Sequence, residues 1–387
     1  MKERKNDTIF MAIVTLFWFA QYVYIPYQTT YLTGIGVASS AVGGIVGAYG
    51  ITQMLLRLPV GLSADRVGRH KLFIMMGALA SGTASLIRVF RCNGTGFLIA
   101  NLFSGLASAM WISFMVFYTG RYSGREQQEA TGRIVLFNNL GILFGFIAST
   151  LLYGRIGMEK ICLLSVTSGC LAFLLSLLLK EEKPVGGQCT VGELLSVCKG
   201  KRILVFSLVA LIQQGIQLTT TMSFTNQILK NCGATDGIVG ISSIIYMISS
   251  VFFAGCASSG ICGKKGPRFW IPTVLLVVAA YCTLVPVAGS IPLILLLQIL
   301  PGMSTGILFS YATSEAVQGV PAEKKSTAMG FFQAVYAIGM TTFPTITGKI
   351  IGGSGMWTGY LVLAAVAAAG AVLVFFWYRT EAENIKK

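Results

Sequence analysis

Residues 61–71 read Gly61-Leu62-Ser63-Ala64-Asp65-Arg66-Val67-Gly68-Arg69-His70-Lys71. This short charged run separates two apolar stretches, 39–61 and 71–91. Gly61 has no side chain, so a second helix can approach its backbone closely. Gly68 permits the tight turn that a short helix–helix loop needs. Outward from this run the alternation of apolar stretch and short polar gap repeats along the chain. Further stretches lie at 8–32, 95–119, 130–153, 159–180, 202–229, 236–258, 269–289, 291–316, 326–351 and 356–378, which makes twelve. Each is long enough for a spanning helix, which needs roughly 20 apolar residues. None shows the alternating pattern of a membrane barrel strand.

Composition agrees. The 387 residues are 54% hydrophobic and 11% charged, with a mean hydropathy of +0.73. A soluble domain carries about 25% charged residues. The net charge of +15 marks topology, not a nucleic-acid partner. With a cytoplasmic N-terminus, 23 of the 29 Lys and Arg fall at or near cytoplasmic helix ends. Only Arg88, Arg91, Arg155, Lys160, Lys230 and Lys349 fall outside. That asymmetry places both termini in the cytoplasm. No basic domain stands outside the membrane, so nucleic acid is excluded as a partner. Segment 8–32 is too long for a signal-peptide core and reads as a retained first span.

The pattern Gly61-x-x-x-Asp65-Arg66-x-Gly68-Arg69 resembles the loop between the second and third helices of the major facilitator superfamily. The resemblance implies an all-α membrane protein with twelve transmembrane helices in two pseudo-symmetric six-helix bundles. It also implies a transporter. In that family the aspartate sits near the start of the eleventh helix, here near Lys325-Ser326-Thr327, and pairs with nearby arginines. The contact holds the outward-open state, which makes Gly61, Asp65, Arg66, Gly68 and Arg69 gating candidates. Glu315, one turn inside the cytoplasmic end of the tenth helix, joins them. An inner-face salt bridge to Lys264 or Lys265 is expected of it, with a protonation switch as the alternative.

The halves are expected at 1–180 and 202–387, with a cytoplasmic linker at 181–201 in which Thr190 to Lys199 can form a short amphipathic helix. The repeat is visible in residues: Gly61 with Gly255 and Gly154 with Gly348, both 194 positions on, and Gly105 with Gly302. On the 194 offset the second copy of the loop has Ser259 where the aspartate would be.

No Asp or Glu falls at an expected midplane. What can line a cavity is neutral and aromatic. Gln21, Tyr24, Gln28 and Tyr31 recur at helical spacing and share one face of the first helix. The seventh helix carries Gln213, Gln214 and Gln217. Asn101, Asn138, Tyr246, Gln298, Gln333 and Tyr336 add amides and phenols. A polar face on a spanning helix must meet protein or water. These residues are therefore substrate-binding candidates, with interhelical hydrogen bonding as the plainer alternative. Arg57, Arg121 and Arg133, and Arg88 at the outer side, are expected to snorkel or pair at helix ends, with steering of an anionic substrate by either set as the alternative. A bridge between Cys92 and Cys232, both near outer ends, is conceivable.

The family's proton-coupled drug exporters carry two further patterns. Gly132, Gly141 and Gly145 match the glycine-rich fifth helix, but Phe146, Ser149 and Thr150 depart from it. Asn101, four residues before Gly105, stands where the exporters have arginine. The leading expectation is a transporter of a small-molecule substrate in the lipid bilayer, exporting amphipathic molecules as an antiporter, with protons as the candidate coupling ion. Facilitated uptake of a neutral nutrient such as a sugar or nucleoside is the second. A non-transporting receptor or scaffold is the third. No cofactor is implied. One histidine, His70, offers neither a metal site nor a nucleophile–His pair, and no phosphate loop is present. A monomer in a bacterial inner membrane is expected from the family habit and the short loops.

Overall fold

The computed structural model describes residues 2–37, 39–122, 124–181 and 190–386. Residues 182–189 of the expected linker lie outside them. Among the described residues the chain is helical, with no strand. Backbone groups in hydrocarbon must be paired within the segment, which leaves helices as the solution for twelve separate apolar runs.

The helices follow the hydropathy. Helix α1 comprises Lys2–Tyr22 and Ile25–Gly34, α2 is Ser39–Val67, α3 is His70–Phe90, and α4 comprises Gly94–Ala109 and Trp111–Thr119. Gly124–Leu177 is one continuous run broken at Gly157, whose φ of 75° only glycine adopts easily. We number its arms α5 (124–156) and α6 (158–177). Helix α7 is Lys201–Thr219, a π turn at Thr220–Phe224, and Thr225–Asn231; α8 is Asp236–Ser258 and α9 is Gly266–Leu284. Helix α10 runs through Ile291–Leu297, Ile299–Met303, a π turn at Ser304–Leu308, and Phe309–Val317. Helix α11 is Lys325–Ser354 and α12 is Met356–Lys386. In the linker, Val191–Ser196 forms a helix, with Thr190 and Glu193 in a capping box.

The chain divides into two compact units. One holds residues 1–121, 137–199 and 319–334; the other holds 122–136, 200–318 and 335–387. The first turns of α5 thus belong with the second unit, and the first turns of α11 with the first.

Each unit repeats the same internal contacts. In the first, the Tyr49 hydroxyl meets Ser108 Oγ at 2.7 Å; in the second, Tyr246 meets Thr305 Oγ1 at 2.8 Å. Asn101 Nδ2 donates to the Ile45 carbonyl at 2.7 Å, and Gln298 Nε2 to Ser242 Oγ at 2.9 Å. Gly105 packs on Thr52 and Gly302 on Ser249. Every second member lies 197 positions after the first (45 and 242, 49 and 246, 101 and 298, 108 and 305). This corrects the offset of 194 between α2 and α8. The mate of Gly61 is Ser258, not Gly255, and the mate of Asp65 is Cys262, not Ser259. Cys92 and Cys232 are free thiols, so the conceivable bridge is not formed.

The helix breaks repeat as well. Helix α1 turns at Val23–Tyr24, where Pro26 denies the Tyr22 carbonyl its usual N–H partner. In α7 the equivalent place carries the π turn. The break of α4 at Met110 corresponds to the π turn of α10.

Glycines let α5 and α11 cross their partners closely. A methyl on Gly141 would stand 2.3 Å from the Thr15 carbonyl oxygen in the first unit, and one on Gly339 2.3 Å from that of Leu211 in the second. Gly141→Leu is expected to destabilise by about 1–3 kcal/mol or more, read as a lower melting temperature in detergent. Gly154→Ala, with nothing within 4 Å of the added methyl, should leave that temperature unchanged or raise it.

Candidate functional site

Asp65 lies past the apolar run of α2. Its carboxylate accepts from Ser326 N at 3.0 Å, Thr327 N at 2.6 Å and Thr327 Oγ1 at 2.6 Å. Free N–H groups and the positive end of the dipole make the first turn of α11 a seat for an anion. Burial pushes the carboxyl above the ordinary range, and the bonds from Thr327 and Ser326 pull it back. Gly61 makes the approach possible: a methyl there would stand 2.4 Å from the Ser326 carbonyl oxygen. Among the described residues, Asp65 is partnered by these donors and not by the arginines that the resemblance implies. Arg66 and Arg69 are exposed, and Gly68 turns with φ 64°. Arg57 is buried instead of snorkelling, and donates Nη1 to the Gln333 carbonyl at 2.9 Å and Nη2 to Gln53.

A second arginine is buried more deeply in the same unit. Arg88, on α3, is fully buried, so of the expected snorkelling or pairing it does not snorkel. Its Nη2 reaches the Asn101 Oδ1 at 2.8 Å, the Tyr24 hydroxyl at 2.9 Å and Ser104 Oγ at 2.9 Å. Its Nη1 reaches Ser85 Oγ at 3.2 Å. The guanidinium also lies 3.8 Å from the Tyr24 ring centre. Gln21 continues the network, donating to the Ser104 carbonyl at 3.0 Å and to Ser108 Oγ at 3.2 Å.

The single face expected for α1 is therefore divided. Gln21 and Tyr24 turn to α4, while Tyr31 donates to the Cys92 carbonyl at 2.8 Å. The cause is the break at Val23–Tyr24, which changes the helical phase. Gln28 is buried, with its Oε1 unpartnered among the described residues.

In the second unit a narrow cleft lies between α7, α9 and α10. It is lined by Gln213, Gln217, Thr220, Tyr281 and Ser304 among others, with room for roughly one water. Gln213 Nε2 donates to Gln217 Oε1 at 3.1 Å, and Gln217 Nε2 to the Tyr246 hydroxyl at 2.5 Å. Gln213 Oε1 is buried without a partner among the described residues. Gln298 lies beside Tyr281, whose hydroxyl donates to its Oε1 at 3.5 Å. Both π turns reach this cleft, through Thr220 and Ser304.

A family model described as Major Facilitator Superfamily matches residues 10–258 and 216–387. The chain belongs to the major facilitator superfamily. An uncharacterised MFS-type transporter of Methanocaldococcus jannaschii is 31% identical over 84 residues, 22% of each chain. The inner membrane transport protein YajR of Escherichia coli is 27% identical over 143 residues, 37% of this chain and 31% of that one. The aligned stretches thus span less than a third of these curated relatives. Two solved structures share the fold. The human organic anion transporter MFSD10 has a TM-score of 0.76 at 16% identity, covering 97% of this chain and 100% of its own. The fucose:proton symporter FucP of E. coli has 0.77 at 13%, covering 95% and 97%.

The remaining candidates of this superfamily member are dispersed. Gln333 lies in the first unit beside Arg57, and Tyr336 in the second packs its ring on Phe309. Asn138 and Gln214 are half-buried. Glu315 is buried but is not paired as expected. Its partners are Arg202 Nη2 at 2.5 Å and the Tyr378 hydroxyl at 2.8 Å, with Gln128 Nε2 at 3.5 Å. Lys265 instead lies 4.2 Å from the Phe269 ring centre. Arg202 also holds Glu381 at 2.6 Å.

Sequence reasoning named Arg88 only as a helix-end arginine, without its partners, and missed Arg202. Their signal was the cluster of uncharged acceptors in one case and of carboxylates in the other, both scattered along the chain. The Arg202 cluster gives an ordered expectation. Arg202→Ala leaves the buried Glu315 charge unpaired and should cost about 3–5 kcal/mol. Glu315→Gln leaves Arg202 on Glu381 and should cost less than half of that. Melting temperatures of the two variants in detergent check the order.

Proposed function

We propose that the chain is a secondary transporter moving a small organic solute by alternating access. Its working halves would be 1–180 and 202–387, joined by the linker 181–201, with both termini cytoplasmic. The Asp65 clamp on α11 is the observation that carries the reading. Three directed hydrogen bonds from one helix end fix one arrangement and are lost together in another. Hydrogen bonds to a charged group contribute roughly 1.5–3 kcal/mol each, so a few of them can bias a two-state element strongly. Gly61, Gly68, Arg66 and Arg69 serve the same gate by approach, turn and charge. Glu315 with Arg202 would serve the corresponding inner end of the second half.

The leading substrate reading is export of amphipathic molecules, with protons as coupling ion. Gly132, Gly141 and Gly145 of α5 support it, and so do the aromatic rings beside the amides. The second reading is uptake of a neutral polar nutrient. Gln213 Oε1, buried and without a partner among the described residues, favours it, because a solute hydroxyl or N–H would satisfy that acceptor. A protein monomer in a bacterial inner membrane fits both.

Purified protein in proteoliposomes tests the reading against a panel of drugs, sugars, nucleosides and organic acids, with and without a pH gradient. Uptake into inside-out vesicles driven by an acidic lumen supports proton-linked export. Exchange of a neutral nutrient, independent of the gradient, supports the second reading. Asp65→Asn is expected to cut the rate at least tenfold and to raise maleimide labelling of cysteines placed on the cytoplasmic side. Labelling unchanged on both faces would remove the gate role.

A further inference from the structure

Arg88 breaks the pattern that the rest of its surroundings obeys. It is fully buried, and among the described residues no carboxylate lies within ion-pair distance of it. Its partners are hydroxyls and one amide oxygen. Its Nε has no partner at all among the described residues. Asn101 offers it a neutral oxygen and no charge, while its amide nitrogen donates to the Ile45 carbonyl. An unpaired buried charge is costly, by several kcal/mol in low dielectric, and intramembrane ionisable residues mark functional sites by default.

The second unit shows that the fold does not require this charge. There the same linkage is built without it. Tyr281 of α9 donates to Gln298 Oε1, and Gln298 Nε2 donates to Ser242 of α8. The order is the same as in the first unit, from a residue on α3 or α9 to an amide on α4 or α10, and on to α2 or α8. A phenol one turn earlier in α9 reaches the amide instead of a guanidinium, and the mate of Arg88 on the 197 offset is Val285. Thr225 and Tyr360 close that knot at 2.9 Å each, and every member is neutral. Where two copies of one architecture differ by a buried charge, the charge answers to something other than packing.

We propose that Arg88 is the counter-charge for the carboxylate of an organic anion bound in the first unit beside Tyr24, Asn101 and Ser104. This rests on the transporter reading and gives it a substrate class. The planar fork of a guanidinium takes a carboxylate in two parallel bonds, which a lysine cannot reproduce. The hydroxyls now satisfying Nη1 and Nη2 are the exchangeable partners, since each can rotate to donate to the incoming carboxylate instead. Tyr24 and Phe97, whose rings lie 3.8 and 5.8 Å from the guanidinium carbon, suit an anion with an apolar or aromatic body.

The test uses the full chain in detergent and reads thermal stability with benzoate, salicylate and 2-naphthoate, each against its primary amide. The carboxylates are expected to stabilise the protein and the amides not to. Arg88→Gln should weaken the response at least roughly tenfold, the loss expected for one charged hydrogen-bonded contact. Arg88→Lys should recover it only in part. Equal responses to carboxylate and amide in the wild type overturn the proposal even if neither variant folds. So do carboxylate responses that persist unchanged in Arg88→Gln. Proteoliposome exchange of the same compounds is scored separately. A wild type that exchanges neutral solutes but ignores carboxylates keeps the transporter reading and removes the Arg88 site. A wild type that binds carboxylates through Arg88 and exchanges nothing keeps the site and removes the transporter reading.

Discussion

A carboxylate seated on the first turn of a helix ties the end of α2 to the start of α11. Asp65 comes from the first half of the sequence and the N–H groups of Ser326 and Thr327 from the second, roughly 260 residues away. Closing so long a loop is entropically costly, so the contact needs several cooperating features. Gly61 removes the side chain that would collide with the Ser326 carbonyl. Gly330 does the same against the Arg57 carbonyl, from which a methyl would stand 2.7 Å away. Arg57 then ties α2 to Gln333. A similar device secures α3, whose first N–H groups, those of His70 and Lys71, donate to Glu181. At both places an acid serves a helix that would otherwise begin with unpaired donors.

The fold was legible because hydrocarbon leaves few options: twelve runs of sufficient length permit little but twelve helices. The Asp65 seat was legible because spacing and charge together are rare by chance. The register of the repeat was not. Glycines recur so often in α2 and α8 that Gly61 finds a match at 194, while the tyrosine, hydroxyl and amide contacts agree on 197. Matching one small residue tests only space; matching a hydrogen-bonded pair tests direction as well.

The arginines were misread for a related reason. Position near a helix end suggests snorkelling, and the rule holds for Arg121, half-exposed and paired with Asp7. It fails for Arg57 and Arg88, because buried neutral acceptors surround them: the Gln333 carbonyl and Gln53 for Arg57, and Ser85, Tyr24, Asn101 and Ser104 for Arg88. Sequence shows which polar residues a helix carries, but not which neighbours turn toward them. The α1 face failed similarly: Gln21, Tyr24, Gln28 and Tyr31 share a stripe only on an unbroken helix, and Pro26 breaks it.

The π turns of α7 and α10 carry a consequence of their own. Each accommodates one residue more than an α turn would, and a residue of α-helix advances about 100° around the axis. Everything beyond the turn is therefore out of phase with everything before it. Thr225 faces Tyr281 and Tyr360 because of that offset. A single-residue deletion within Thr220–Phe224 would remove little mass, yet it would rotate the Thr225–Asn231 end of α7 and point a neighbour at the two phenols. In these helices length variation acts as a rotation, so insertions and deletions, more than substitutions, are the changes that would re-aim the lining of the cleft.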